Sequence, residues 1–254
     1  MNNGRRGGYL AAVIAVVALA GLTLVASVAA KPEKVIVGNL EVEYDGGFSP
    51  TALPKNKLTP ISFFLWSKLR TLDGKHPPAI KEFKLEGDKN VVVDAKGIPT
   101  CTSGKLQSQT SAGARKACNP GSLVGSGTTE VEVQFPEQPP IDVKSELLAF
   151  NGGVKGGVTT LYIHAYLTAP VTAAIVTTVK IKKVKKGRYG TESIALVPKI
   201  AGGSGSVTYF KLKFDKGLLF AKCPDGRLQA HGTGVFADGT KASATVIRPC
   251  TPKG

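Results

Sequence analysis

The chain has 254 residues, and its 33 basic and 18 acidic side chains give a formal net charge of +15. This length suits one large all-β domain or two small ones and can bury a substantial core. In a cytosolic protein such an excess of positive charge would point to nucleic acid. The first thirty residues argue against that compartment.

Arg5 and Arg6 precede an uncharged run from Leu10 to Ala30 that ends in small residues. This pattern is typical of a signal peptide, so we expect residues 1–30 to be removed and residues 31–254 to form a single exported β domain. As a helix the run would span about 31 Å, so an uncleaved membrane anchor is the alternative. The protein is predicted to be secreted or at the cell surface, with membrane contact only through residues 10–30 if they are retained.

The exported part keeps 31 basic and 18 acidic residues, because only two arginines and no acidic residue lie in the first thirty positions. Outside the cytoplasm this charge favours an anionic cell-wall polymer, an acidic glycan or lipid headgroups as partner, and nucleic acid is not expected. Solubility and non-specific adhesion are the alternative explanation of the charge.

All four cysteines, Cys101, Cys118, Cys223 and Cys250, lie in the exported part, where disulfides are the default. Three pairings are possible. We expect the local one, which joins the first two cysteines and the last two and closes two short loops. No metal site is predicted, because the sequence lacks CxxC and HxxxH motifs and its three histidines are far apart.

Beyond residue 31 the dominant hydrophobic period is two, which is typical of β-strands with one wet face. The strands predicted in this way are 34–44, 61–71, 79–86, 90–94, 128–135, 141–150, 158–168, 171–185, 192–197, 206–214, 218–223, 228–236 and 241–247. The stretch 61–71 is apolar on both faces and is expected to be covered on both sides. We therefore predict an all-β fold, an antiparallel β-sandwich or jelly-roll-like barrel of about ten to twelve strands, with a signal or anchor helix at the N-terminus.

Two shorter features complete the organisation of the chain. Asp238-Gly239 predicts a hairpin turn, because Gly readily takes positive φ and Asp tolerates it. Residues 104–119 lack alternation and are predicted to form a short helix ended by Asn119-Pro120, or an irregular loop held by a disulfide.

The first candidate binding site is a group of six cations in nine residues, at the end of a predicted strand and its turn. These are Lys180, Lys182, Lys183, Lys185, Lys186 and Arg188. With Ile181 and Val184 facing inward, most of them project into water, where dense positive charge attracts polyanions. The alternative is a solvated turn whose lysines keep an edge strand from pairing.

The second candidate is the face shared by Tyr162, His164 and Tyr166 on one predicted strand. Two phenols and an imidazole are suited to line a groove for a sugar or another small ligand. The alternative is a face that packs against a loop.

Catalytic signatures are absent from the sequence, and no catalytic residue, cofactor or metal ligand is predicted. There is no GxSxG motif. Glu41, Glu43 and Asp45 alternate along one predicted strand, but their order and spacing do not match a glycosidase strand. An exposed face on an edge strand explains the same residues and is the interpretation that we favour.

The segment Gly97-Ile98-Pro99-Thr100-Cys101, followed by Cys118-Asn119-Pro120 and Leu123-Val124-Gly125-Ser126-Gly127, resembles a pattern found in uncharacterised exported β-rich proteins of actinobacterial type. The resemblance covers about 30 residues firmly. It implies export, a β-rich fold and a pairing of Cys101 with Cys118, and it brings no activity or binding residues.

We therefore expect an exported, disulfide-stabilised surface or envelope protein that is non-enzymatic and binds anionic polymer or glycan. The alternative is a secreted hydrolase acting on a glycan or ester, whose site is assembled only by the fold. A deep cleft with two carboxylates, or a His beside Ser and Asp, would favour the hydrolase.

Overall fold

The computed structural model describes residues 31–254, and the predicted signal or anchor segment lies outside the described residues. Fifteen strands and two short helices follow one another within that range. The strands are β1 (Glu33–Val37), β2 (Leu40–Ser49), β3 (Ala52–Pro54), β4 (Thr59–Thr71), β5 (Ile80–Asp88), β6 (Val91–Val93), β7 (Leu123–Val133), β8 (Ile141–Lys155), β9 (Val158–Leu167), β10 (Ala173–Lys186), β11 (Tyr189–Leu196), β12 (Gly205–Ala221), β13 (Arg227–Phe236), β14 (Lys241–Pro249) and β15 (Thr251–Lys253). The helices are α1 (Ser103–Leu106) and α2 (Ser111–Ala117).

Twelve strands form one antiparallel sheet in the order β1-β2-β4-β12-β7-β8-β9-β10-β11-β5-β13-β14. Strand β6 pairs in addition with β12, and β3 and β15 form a separate parallel pair. The end strands β1 and β14 contact each other without a hydrogen-bonded ladder, so the sheet is barrel-like and nearly closed. The all-β antiparallel prediction is confirmed, and the twelve strands along this sheet agree with the predicted ten to twelve.

Side chains close the seam between the two ends of the sheet. Arg248 of β14 donates from Nε to the carbonyl oxygen of Gly46 over 2.8 Å, and its guanidinium forms an ion pair with Asp45 of β2. Leu40, Val42 and Phe236, which come from strands on both sides of the seam, pack together as a buried apolar cluster. The two ends of the sheet are therefore joined by side chains without backbone pairing.

The main core lies inside the sheet, because every second residue of each strand faces inward. On β4 the inward positions include Ile61, Phe63 and Leu65. Strands β8 and β9 contribute Leu147 and Leu161 to the same cluster. Burial of these side chains is the main driving force that holds the sheet in its curved form.

The two predicted disulfide pairs are confirmed, Cys101 with Cys118 and Cys223 with Cys250. The first encloses the predicted non-alternating segment, which forms α1 and α2 and so confirms the helical alternative. Leu106 and Ala114 of these helices are fully buried against Leu148 and Phe150, which lie on the outer face of β8. The helices therefore form a small second layer on that part of the sheet.

Three strand predictions differ from the structure. The predicted strand 34–44 is a hairpin, because Gly38 takes φ +57° and turns the chain between β1 and β2. The predicted strands 206–214 and 218–223 are one long strand, β12, with an irregularity after Phe214. The outer side of β4 is only half-covered, since no second layer lies over Phe64 and Trp66 among the described residues.

Candidate functional site

The adjacent strands β4 and β12 carry alternating aromatic and basic side chains on the outer surface of the sheet. The cross-strand partners are Trp66 with Lys211, Phe64 with Lys213, and Lys68 with Tyr209. Their neighbours Phe63, Leu65 and Leu212 belong to the interior core, so the period of two places the named residues outside. We call this set the aromatic–lysine face: Phe64, Trp66, Lys68, Tyr209, Lys211 and Lys213.

The aromatic rings of this face lie close together and are half-exposed. The ring centroids of Trp66 and Tyr209 are 6.4 Å apart with an interplanar angle of 35°. Phe64 lies over Gly47 of β2, where an added Cβ would come within 2.7 Å of the ring carbon Cε1. A glycine at position 47 thus makes room for the ring, and the three aromatics form a shallow apolar surface.

The carboxylates that border the aromatic–lysine face are held by other cations. Glu43 lies 3.1 Å from Lys34, and Glu130 lies 3.1 Å from Lys144. Asp45, the cross-strand neighbour of Trp66, is paired with Arg248 at the seam.

The lysines of the face retain their charge for a ligand. Within residues 31–254, Lys68 and Lys211 have no carboxylate within 4 Å, and Lys213 lies 3.7 Å from Asp215, where both groups are largely exposed. Such a contact between exposed groups screens little of the charge. The face therefore combines apolar rings with three cations that are available to an anion.

The predicted cation cluster on β10 is partly neutralised by neighbouring strands. Glu192 of β11 is buried and lies 2.8 Å from Lys182, 2.9 Å from Lys186 and 3.1 Å from Lys84 of β5. Hydrogen bonds from Lys182, Lys186 and Lys84 lower the pKa of Glu192 to about 2. These lysines therefore hold a buried carboxylate in its charged form.

Arg188 also has a structural role. Its Nε donates over 2.7 Å to the fully buried Asp88, and its guanidinium pairs with Asp225. Lys180 donates to Thr160 over 2.9 Å. Of the six predicted cations, Lys183 and Lys185 are exposed and have no carboxylate within 4 Å among the described residues.

The helices α1 and α2 cover the part of the predicted Tyr162–His164–Tyr166 face that carries Tyr162 and His164. His164 is fully buried, and its Nε2 lies 2.9 Å from the carbonyl oxygen of Gln109 in the α1–α2 connection. Burial lowers the pKa of His164, so it is neutral there. Tyr162 packs against the helical cluster, and Tyr166 is half-buried further along β9. This arrangement matches the alternative of a face packed against a loop.

Ser206, His76 and Glu132 come together although no sequence motif links them. His76 Nδ1 lies 2.6 Å from Glu132 Oε1, and His76 Nε2 lies 3.2 Å from Ser206 Oγ. The same atoms of a serine, a histidine and an acid are joined in hydrolase triads.

The position of Ser206 argues against that chemistry. Ser206 is fully buried, and its hydroxyl donates over 2.5 Å to the carbonyl oxygen of Pro77. Pro77 and His76 belong to the same β4–β5 loop, so a movement that uncovered the serine would also remove the imidazole. The contacts fasten this loop to β7 and β12.

The alternating acids of β2 are structural as well. The expectation of an exposed edge strand is wrong for this region, because β2 lies between β1 and β4. Glu41 is buried and lies 2.6 Å from Arg70 and 3.2 Å from Lys34. Its hydrogen bond with Arg70 lowers the pKa of Glu41, which stays ionised as a member of this ion-pair network.

Residues 31–254 show neither a metal-binding cluster nor a membrane-spanning helix. They contain no group of three His, Cys, Asp or Glu side chains placed to hold a metal ion. In this range no helix is long and apolar enough to cross a membrane. Comparisons with known protein families, curated proteins and solved structures find no match to the chain.

Proposed function

We propose that the protein is a non-enzymatic surface or envelope protein that binds an anionic, sugar-based polymer on its aromatic–lysine face. Export is part of this proposal, and it is supported by the two disulfides, which are stable in oxidising compartments outside the cytoplasm. The single observation that carries the proposal is the cross-strand alternation of three rings and three cations on β4 and β12.

The two kinds of side chain favour complementary parts of such a polymer. The apolar faces of sugar rings pack against aromatic rings, and Trp66 with Tyr209 offers two rings in one surface. Carboxylate or phosphate groups of the polymer lie near Lys68 and Lys211, whose charges are not used by the protein. Repetition of both groups along a polymer lets weak contacts add, and the charge contribution falls as salt rises.

The cluster on β10 supports the same function as a second surface. Lys183 and Lys185 supply its available charge, whereas Lys182 and Lys186 are needed to compensate buried Glu192. We therefore expect a smaller contribution from this cluster than from the aromatic–lysine face.

The test compares binding of two immobilised probes, polygalacturonate and inorganic polyphosphate, because only the first carries sugar rings. Trp66→Ala should weaken binding of polygalacturonate about tenfold, equal to ~1.4 kcal/mol, and leave polyphosphate within about twofold. Replacing Lys68, Lys211 and Lys213 by Gln should weaken both probes about tenfold or more. Vesicles with anionic headgroups provide a third probe, and a preference for them over both polymers would assign the face to lipid.

The matched control replaces three exposed lysines elsewhere, Lys55, Lys116 and Lys199, by Gln, which changes the net charge by the same amount. Binding should stay within about twofold of the wild type. Equal losses from the two triple variants would show that net charge alone is responsible and would overturn the proposal. An unchanged affinity of Trp66→Ala for polygalacturonate would show that the aromatic rings do not bind the sugar rings as proposed.

A second candidate function, hydrolysis of an ester or glycan, is favoured only by the contacts of Ser206 with His76 and of His76 with Glu132. Because Ser206 is buried and bound to Pro77, we expect a fluorophosphonate probe to leave it unmodified. Mass spectrometry of the treated protein measures this directly. Modification of Ser206 that His76→Ala abolishes would establish the hydrolase instead.

A further inference from the structure

The interior of the barrel-like sheet contains two apolar cavities. One has a volume of about 180 Å³ and lies towards the seam, between β2, β4, β13 and β14. The other has a volume of about 220 Å³ and lies towards β7, β8, β9 and β10. We call them the seam chamber and the far chamber. Packed protein interiors contain few voids larger than a water molecule, so two such spaces in one core require an explanation.

One pair of aromatic rings stands between the chambers. Phe83 of β5 and Phe210 of β12 line both cavities, and their ring centroids are 5.8 Å apart with an interplanar angle of 71°. In the order of the sheet β12 is the fourth strand and β5 the tenth, so these strands face each other across the interior. The ring contact therefore spans the interior and separates the two spaces.

The chambers differ in the polarity of their walls. The polar side chains of the far chamber are hydroxyls only, from Thr129, Thr177 and Ser193. The seam chamber also includes Asp45, Asp88 and Arg248, which are charged. Asp45 is paired with Arg248, and Asp88 with Arg188 outside the chamber, so the charges in the wall are compensated.

Tyr44 supplies a fully buried polar atom of the seam chamber that lacks a partner among the described residues. Its side chain lines this chamber, and its hydroxyl is buried with no hydrogen-bond partner among residues 31–254. Buried hydroxyls are nearly always hydrogen-bonded, because an unpaired one loses its contacts with water without replacement. An acceptor atom brought by a bound molecule would satisfy it.

We propose that the barrel interior is a binding site for a neutral, predominantly apolar small molecule that carries one oxygen acceptor for Tyr44. Each chamber exceeds the volume of about 150 Å³ that suffices to hold benzene in an engineered apolar cavity. A charged ligand is disfavoured because the charged wall residues already compensate one another. The Phe83–Phe210 contact sets the length limit, because a ligand that occupies both chambers must displace these rings.

The binding test uses a neutral fluorescent probe, N-phenyl-1-naphthylamine, and its displacement by decanol and by decane. Gly232 lines only the seam chamber and Ala195 only the far chamber. Leucine at either position fills the space next to it, so Gly232→Leu and Ala195→Leu together should weaken binding of the probe at least tenfold. The control is Thr233→Leu, which lies beside Gly232, lines neither chamber and should bind as the wild type does.

Two further variants keep the proposal testable if filling the chambers impairs folding. Phe210→Ala opens the partition, so it should bind hexadecanol at least tenfold more tightly than the wild type. Tyr44→Phe should weaken displacement by decanol at least threefold and leave displacement by decane unchanged. Circular dichroism confirms that each variant is folded.

Binding of the probe by the wild type, with the losses and the gain described, would support the proposal. Absence of probe binding at its solubility limit would overturn it. Equal binding by the filled variant and Thr233→Leu would also overturn it, because the probe would then lie elsewhere. The triple variant of Lys68, Lys211 and Lys213 serves as an independent check, since these residues line neither chamber and their replacement should not change the affinity for a neutral probe.

Discussion

Gly127 is the position where a single added methyl group should damage the fold most clearly. It lies on β7, opposite Leu212 of β12. A Cβ at this position would overlap the carbonyl oxygen of Lys211, and it would lie 2.8 Å from the carbonyl carbon and 2.9 Å from Leu212 Cα. All three are backbone atoms in a strand ladder, so no change of side-chain rotamer relieves the overlap.

The cost of Gly127→Ala follows from the separation that the strands must undergo. The two backbones must move apart by more than roughly 0.7 Å, because the carbonyl carbon of Lys211 must return to the ~3.5 Å spacing of non-bonded carbon atoms and its oxygen lies nearer still. Overpacking of this kind costs about 1–3 kcal/mol, and the weakening of about two ladder hydrogen bonds adds ~1 kcal/mol each. We expect the free energy of unfolding to fall by about 3–5 kcal/mol.

Gly232→Ala is the matched control on β13. A Cβ there would lie 3.7 Å from two ring carbons of Phe83, which is ordinary van der Waals contact. Because alanine restricts the unfolded chain more than glycine does, this variant should be more stable than the wild type by about 0.4–1 kcal/mol.

Denaturation by urea, followed by circular dichroism and by the fluorescence of the single tryptophan, Trp66, measures both variants. The reasoning would be refuted if Gly127→Ala unfolded within about 1 kcal/mol of the wild type. It would also be refuted if the two alanine variants were destabilised equally, since a general loss of glycine would then explain the result.

Three further predictions concern charge, the helical layer and the N-terminus. Because the pKa of Glu192 is about 2 when folded and ~4.3 when unfolded, its charge stabilises the protein above pH ~4.3, and this contribution is lost as pH falls towards 2. Glu192→Gln should therefore be less stable than the wild type at pH 7 and nearly equal to it at pH 2, and a constant difference between the two in denaturation curves would contradict this. Cys101→Ser should lower the free energy of unfolding by about 2–5 kcal/mol. Because the helices over His164 then loosen, the pKa of His164 should rise towards its ordinary value in an NMR titration. An unchanged pKa would show that burial of His164 does not depend on the disulfide. Sequencing of exported protein should find a first residue near Ala30 or Lys31, whereas recovery of the full-length chain only in membranes would indicate an anchor.

The aromatic–lysine face depends on a strand pairing that the hydrophobic pattern does not encode. Tyr209, Lys211 and Lys213 alternate along one predicted strand, and Trp66 lies on another, so the residue types were visible in the sequence. The sequence does not show that β4 and β12 are neighbours. Such pairing between distant segments depends on how the whole sheet closes, and no local period encodes it.

Local chemistry, by contrast, determined much of the architecture. Alternating hydrophobic residues predicted most strands, because a strand with one buried face needs that period. The hairpin at Asp238-Gly239 is present between β13 and β14, with Gly239 at φ +89° as the turn requires. Four cysteines in a chain predicted to be exported indicated two local disulfides, and both are formed.

Tertiary structure alone decided which charges and which spaces are available. Lys182 and Lys185 are equivalent in the sequence, yet the fold places buried Glu192 beside Lys182 and leaves Lys185 exposed to solvent. Phe83 and Phe210 are ordinary core residues by their pattern, and only the opposition of β5 and β12 makes them a partition between two chambers. The physical reason is the same in each case. The period of the hydrophobic residues shows which side of a strand a residue occupies. Whether its charge is paired, or whether the space beside it is filled, depends on residues that meet only when the sheet closes.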